Sequence, residues 1–331
     1  MKNTMFNTVK KAVALSMAMG VLTSCEKKEV TSFSIAGVAV SNAAFSTLES
    51  AAIRGGVVGV LSNPNAGDPS GKFTVFAPTN AAFSRLGLNG ADDLLALNQG
   101  FLTSTLLYHV SNGDLPSSAI TAGGINRTAL GPTKRFITRG SDKFVNGSKI
   151  IINDVAASNG TIHAIDKVLL ATGVDIAQST IALTQSKVFA GPELTYLLEA
   201  VLYCELAGAL SAPNGPYTVY APTDAAFRQL GMLLGVPLNV PADIRKLPKA
   251  TVTQVLLTHV FAGANGNKFT SELNAGNVSA LNNQAVMLGA YNNGVLTVQG
   301  GGNAAPANMV IPDVQCTNGV VHVIDRVLLP R

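Results

Sequence analysis

The chain contains the same pattern twice. Phe73–Phe83 reads Phe-Thr-Val-Phe-Ala-Pro-Thr-Asn-Ala-Ala-Phe and Tyr217–Phe227 reads Tyr-Thr-Val-Tyr-Ala-Pro-Thr-Asp-Ala-Ala-Phe, identical at 8 of 11 positions. A second segment, Asn159-Gly160-Thr161-Ile162-His163-Ala164-Ile165-Asp166-Lys167-Val168-Leu169-Leu170, returns as Asn318–Leu329. Between the segments lie Leu107-Tyr108-His109-Val110 and Leu257-Thr258-His259-Val260. Matches in this order restrict the 331 residues to two copies of one unit. A unit of roughly 140–150 residues buries about two-thirds of its unfolded surface and folds alone. The offset between copies grows from 144 residues at Phe73/Tyr217 to 150 at His109/His259 and 159 at His163/His322. Copy two therefore carries two insertions, predicted at 236–248 and 300–308. The boundary is predicted near Ala171–Asp175, after a Val168-Leu169-Leu170 strand, giving units at 34–171 and 175–331. No Gly/Ser or Pro linker separates them, so the copies are expected to touch.

Within each copy, Thr74–Phe76 and Thr218–Tyr220 read as short strands stopped by Ala-Pro, with Thr79 and Thr223 placed to cap a following helix. Ala91–Leu107 has helical spacing, with a break predicted at Gly100. Asn146-Gly147 predicts a hairpin turn with two positive-φ positions, and Tyr291-Asn292-Asn293-Gly294 predicts another. Segregated helices and hairpins give an α+β class. Hydrophobic residues at 47% and charged residues at 13% exclude a disordered or coiled-coil chain.

Taken together, strand-Ala-Pro-Thr-Asn/Asp-x-Ala-Phe, then Tyr-His, then Asn-Gly-x-x-His-x-Ile-Asp-x-Val-Leu-Leu closely resembles the signature segments of fasciclin-like domains. The resemblance spans roughly Ser34–Leu170 and Asp175–Pro330. It implies a tandem pair, each domain a mixed, mainly antiparallel β-sheet wedge packed by helices, and a role in adhesion, extracellular matrix or the bacterial surface. Its signature positions are Thr74, Pro78, Thr79, His163 and Asp166 in copy one and Thr218, Pro222, Thr223, His322 and Asp325 in copy two. In animal matrix members, an Asp-Ile pair before the second segment and the Tyr-His neighbourhood are linked to integrin recognition. The matching residues are Asp154 (before Val155), Asp313 (before Val314), Tyr108, His109 and His259, with Thr258 departing from the Tyr of the pattern. These five are the candidate ligand-binding residues, an idea that a buried Asp154 or Asp313 would end.

At the N-terminus, Lys2, Lys10 and Lys11 precede an apolar run Ala12–Leu22, too short to span about 30 Å of hydrocarbon and of signal-peptide length. Leu22-Thr23-Ser24-Cys25 resembles a bacterial lipobox, which implies cleavage after residue 24, lipidation of Cys25, a tether at 25–33 and a membrane anchor. Glu26-Lys27-Lys28-Glu29 resembles the short signals that send some Gram-negative lipoproteins to the outer face, so outer membrane and cell surface are the expected address. The net charge of +4 falls to +1 without residues 1–24, leaving no footprint for nucleic acid. Cys204 and Cys316 remain, as a possible disulfide or as two buried thiols.

Catalytic templates fit poorly. The four histidines occupy matched places, and strand parity sets His163 with Ile165 and Leu169, and His322 with Ile324 and Leu328, as packed and hydrogen-bonded imidazoles. Asp154/Asp313 and Asp166/Asp325 could add oxygen ligands, but no His-x-His or His-Glu-x-x-His pattern fixes a metal geometry. Gly67–Lys72 departs from a phosphate loop in spacing and reads as a turn, no Gly-x-Ser-x-Gly elbow occurs, and Asp92-Asp93 diverge by about 100° on a helix. The tract 273–312 holds no charge but 8 Asn, so it reads as hairpins and loops. No metal or cofactor is expected. The expected function is a non-catalytic, lipid-anchored protein that binds a surface protein or polysaccharide. The alternatives are a periplasm-facing assembly or polysaccharide-binding module and, behind it, a His-dependent metal enzyme.

Overall fold

The computed structural model describes residues 33–128, 132–185 and 193–331; the expected signal peptide, Cys25 and the charged tract after it lie outside the described residues. Copy one contributes strands β1 (Phe73–Pro78), β2 (Val110–Asn112), β3 (Ile125–Asn126), β4 (Lys134–Arg139), β5 (Asp142–Val145), β6 (Ser148–Ala157), β7 (Gly160–Ile165) and β8 (Leu170–Ala171). Copy two contributes β9 (Tyr217–Pro222), β10 (Val260–Phe261), β11 (Gly276–Ser279), β12 (Ala285–Leu288), β13 (Thr297–Gly300), β14 (Ala307–Cys316) and β15 (Gly319–Ile324). The sheet orders are β2-β1-β7-β6-β5-β4-β3 and β10-β9-β15-β14-β13-β12-β11.

In each sheet the two repeated segments lie side by side. β1 and β7 run parallel, as do β9 and β15, and the remaining pairs along both sheets are antiparallel. This α+β arrangement explains the Asn-Gly that opens the second segment. A Cβ on Gly160 would stand 2.0 Å from the Phe73 carbonyl oxygen, and one on Gly319 2.1 Å from that of Tyr217, so no side chain fits between the strands. Strand alternation then splits the core. Val75, Ala77, Ile162 and Ala164 pack under helices that supply Leu48, Ala51, Ala52 and Leu106, while Phe76 and Ile165 face Phe136 and Val145.

The Thr of both Thr-Asn/Asp-Ala-Ala-Phe starts behaves as a cap. Thr79 Oγ1 accepts from Ala82 N at 3.4 Å and Thr223 Oγ1 from Ala226 N at 3.2 Å. The helix break falls elsewhere than Gly100. The helices are Ala91–Leu94 and Gln99–Tyr108, and Asn98 starts the second by accepting from Phe101 N, which leaves Gly100 in its first turn. The Asn146-Gly147 hairpin forms, yet of its two turn residues only Asn146 has positive φ (54°). In copy two both Asn293 (46°) and Gly294 (87°) do. The uncharged tract folds into β11, β12, β13 and most of β14. Among the described residues no helix is long and apolar enough to cross a membrane.

One strand changes sheets. Val168 and Leu169 are not in a strand, and β8 pairs in parallel with β14 of copy two, Leu170 opposite Val314 and Ala171 opposite Gln315. The last strand of the first unit thus belongs to the second unit's sheet.

Candidate functional site

The histidines are fixed first by their positions, two just after helices and two within the last strands. His109 follows the helix ending at Tyr108; its Nδ1–H donates to Thr105 O at 2.7 Å and its Nε2 accepts from Leu169 N at 2.9 Å. His259 repeats this with Val255 O at 2.7 Å and Leu328 N at 2.8 Å. In the last strands, His163 Nδ1 accepts from Asp154 N and its Nε2–H donates to Leu115 O, while His322 does the same with Asp313 N and Lys268 O. Each ring is a neutral tautomer with both nitrogens engaged, so none has a lone pair for a metal or a free proton site for acid–base work. Burial holds all four below the ordinary histidine value, His109 at about 3 and His259 at about 4.

The remaining signature side chains are also spent inside the fold. Thr74 Oγ1 bridges Gly113 O and Leu115 N, and Thr218 Oγ1 bridges Asn265 O and Lys268 N. Pro78 and Pro222 end β1 and β9. Asp166 accepts from Lys149 N, and Asp325 from Asn308 N, each at 2.7 Å. Asn159 and Asn318 went unnoticed in the sequence as functional positions. Asn159 accepts from Ile35 N and donates to Leu61 O and Asn63 O; Asn318 accepts from Ile176 N and donates to Leu210 O and Asn214 O. Their recurrence in the repeat was the available signal.

Asp154 and Asp313 share one job. Both have positive φ (58° and 67°) beside register shifts in β6 and β14, where the long strand bends. Their carboxylates hold a 3₁₀ turn from earlier in the chain, Ser117–Ala119 or Thr270–Glu272: Asp154 accepts from Ser117 N and its hydroxyl, and Asp313 accepts from Thr270 N and its hydroxyl, both at 2.7 Å. Their surroundings differ. Asp154 is exposed, whereas Asp313 is 8% exposed and receives Lys167 Nζ from copy one at 2.5 Å. Burial pushes the Asp313 carboxyl up, but the Lys167 ammonium and the hydrogen bond from Thr270 outweigh it and hold it below the usual range.

Asp313 therefore lies in the seam between copies. Lys167 Nζ also donates to Thr270 Oγ1 and Gly294 O, each at 2.8 Å. Tyr108, 2% exposed, donates to Gln315 Oε1 at 2.5 Å, and Asn146 Nδ2 donates to both Tyr108 Oη and Gln315 Oε1. Arg135 reaches Asn267 O and Glu272, Arg139 reaches Leu273 O, and Arg85 reaches Asn293. A Cβ on Gly147 would fall 2.0 Å from Asp313 Oδ2, so only glycine fits where copy two sits against the turn. Of the five candidate ligand-binding residues, Tyr108, His109, His259 and Asp313 are thus corrected to structural residues. Asp154 alone meets solvent.

The possible Cys204–Cys316 bridge is corrected as well: both thiols are free and buried. Cys204 lies against Lys249 O, Cys316 is 3.2 Å from Ser179 Oγ, and burial pushes the Cys316 thiol up. An aqueous thiol reagent is expected to leave both unmodified in the native protein and to label both after denaturation; labelling of either in the native state contradicts this burial.

Lys134 is a buried cation with no carboxylate within ion-pair distance among the described residues. Its Nζ donates to Tyr108 O at 3.0 Å and stands 5.0 Å over the Phe76 ring, and burial lowers it to about 7. The register places Val286 at the same point of copy two. Because the folded value lies below the unfolded one, Lys134 binds fewer protons in the fold, and its destabilisation is full below pH 7 and fades as pH rises toward the unfolded value. Lys134→Met is expected to raise stability by about 1–3 kcal/mol at pH about 7 and by less at about 9.5. Urea denaturation at the two pH values checks this, and equal or negative changes at both contradict it.

A family model for the fasciclin domain matches residues 43–171 and again 192–330. The chain belongs to the fasciclin domain family. Protein sll1483 of Synechocystis is 36% identical over 163 residues, 47% of this chain and 87% of that protein. The fasciclin domains here also resemble Cell surface glycolipoprotein MPB83 of Mycobacterium bovis, 37% identical over 100 residues, 30% of this chain and 44% of MPB83. Human Periostin is 26% identical over 288 residues, covering 83% of this chain and 31% of Periostin. Among solved structures, a FAS1 domain pair from the insect cell adhesion molecule Fasciclin I aligns at 20% identity and a TM-score of 0.37, over 78% of this chain and 88% of that one.

Proposed function

We propose that this protein is a lipid-anchored adhesin-type scaffold, held through Cys25 at the outer membrane with its fasciclin pair facing outward, that binds a protein or glycan and catalyses nothing. The observation that carries this reading is the full engagement of the signature side chains. The four imidazoles, the hydroxyls of Thr74, Thr79, Thr218 and Thr223 and the carboxylates of Asp154, Asp166, Asp313 and Asp325 all serve the fold. Such a pair does its work through its outer surface, as a shaped and rigid display. The lipobox of the sequence and the cell-surface name of MPB83 support the address.

Protease treatment of intact cells, with a periplasmic protein as control, tests the reading. Cleavage of this chain while the control survives is expected. Protection until lysis would contradict surface display and turn the search to periplasmic partners.

A further inference from the structure

Copy one encloses an apolar cavity of about 120 Å³ between its N-terminal helices and the helix-facing side of its sheet, walled by Leu48, Ala52, Val75, Leu106, Val110 and Ile162. Copy two has the same cavity at the same place, but only about 50 Å³ of it. The reason lies in two side chains. The backbone N–H groups of Ile35 and Ile176 donate to the same oxygen of the signature Asn159 and Asn318, and those of Thr47 and Tyr196 donate to the side-chain oxygens of Asn80 and Asp224, which fixes the alignment of the helices. Ala39 and Ala52 of copy one then stand where copy two has Thr180 and Val201. Copy two fills the space that copy one leaves open.

The cavity has no polar group to offer. His109 touches it, but both its nitrogens are already bonded. Its mouth is apolar too, since the lining residues Val40, Ile53 and Val58 are exposed, and Glu49 is the one charged residue there. A dry apolar space close to the ~150 Å³ at which an engineered cavity takes up benzene is a hydrocarbon site, because water gains no partners in it. From this geometry we infer that the first fasciclin domain binds a small neutral hydrocarbon or the end of an alkyl chain in this cavity, and that the second domain does not. A carboxylate headgroup is disfavoured at the mouth by Glu49.

The test is thermal unfolding of the full chain with and without near-saturating benzene, in the native protein and in Ala52→Leu. Benzene is expected to raise the Tm of the native chain by about 3 °C and to leave that of Ala52→Leu unchanged. If Leu overfills the site, Ala39→Thr/Ala52→Val, which installs the residues copy two carries, takes its place. Crystals under xenon pressure give a second readout: a xenon atom beside Ala52 and none beside Val201. No shift with benzene and no xenon in copy one overturns the inference, as does an equal shift in the filled variant.

Discussion

Asp313→Asn is expected to cost about 3–5 kcal/mol of stability, because it leaves Lys167 buried without a counter-charge. Lys167 is 5% exposed, and its Nζ is bonded to Asp313, Thr270 and Gly294. Asn tolerates the left-handed backbone at this position, so strain is not the source of the loss. Asp154→Asn makes the same change in the same motif where the carboxylate faces solvent, and the expected cost there is about 1 kcal/mol or less. Adding Lys167→Met to Asp313→Asn is expected to return most of the loss, since the stranded charge goes with it. Chemical denaturation of the four proteins measures these differences. A similar, small loss at Asp154 and Asp313 would show that the ion pair is not a buried one.

Acid is expected to destabilise the protein progressively from just below neutrality. All four histidines are neutral in the fold and held below their unfolded value, with His109 at about 3 and His259 at about 4. A base whose folded value is depressed binds more protons when unfolded, so its contribution is complete above about pH 6.5 and declines as pH falls toward the folded value. His109 and His259 together are expected to remove on the order of 5 kcal/mol between pH about 6.5 and 4. The Lys134 window lies above this range, and the depressed carboxylates, Asp313 among them, add their losses below about pH 4. Equilibrium denaturation across that range checks the slope; stability that stays flat down to pH about 4 contradicts neutral, engaged imidazoles.

The repeat made the fold readable, because a pattern that recurs in order marks the residues both copies need. The caps at Thr79 and Thr223 and the Asn293-Gly294 turn are local events, and local chemistry announces them. The second helix starts from its cap Asn98 and does not break at Gly100, because an Asn before a helical run is a stronger start signal than a glycine is a stop. Lys134 carried a sign that was passed over: it shares strand parity with Phe136, which puts a cation on the apolar face. The seam was the least legible part. β8 pairs with a strand roughly 145 residues away, and Tyr108, Asn146 and Gln315 meet only once two folded sheets are docked. Asp154 and Asp313 look alike in sequence and differ only in what is packed over them, which is why a ligand-binding reading fitted both until copy one was seen to cover one of them.

The central claim is that the two fasciclin domains are one docked scaffold, held at the seam by Lys167 with Asp313 and by Tyr108 and Asn146 with Gln315. Scanning calorimetry of the unmodified chain tests it most directly. A single cooperative transition, with calorimetric and van't Hoff enthalpies in agreement, is the predicted result, and Asp313→Asn should split it into two. Two independent transitions in the unmodified chain would contradict the claim and return Tyr108 and Asp313 to the free surface.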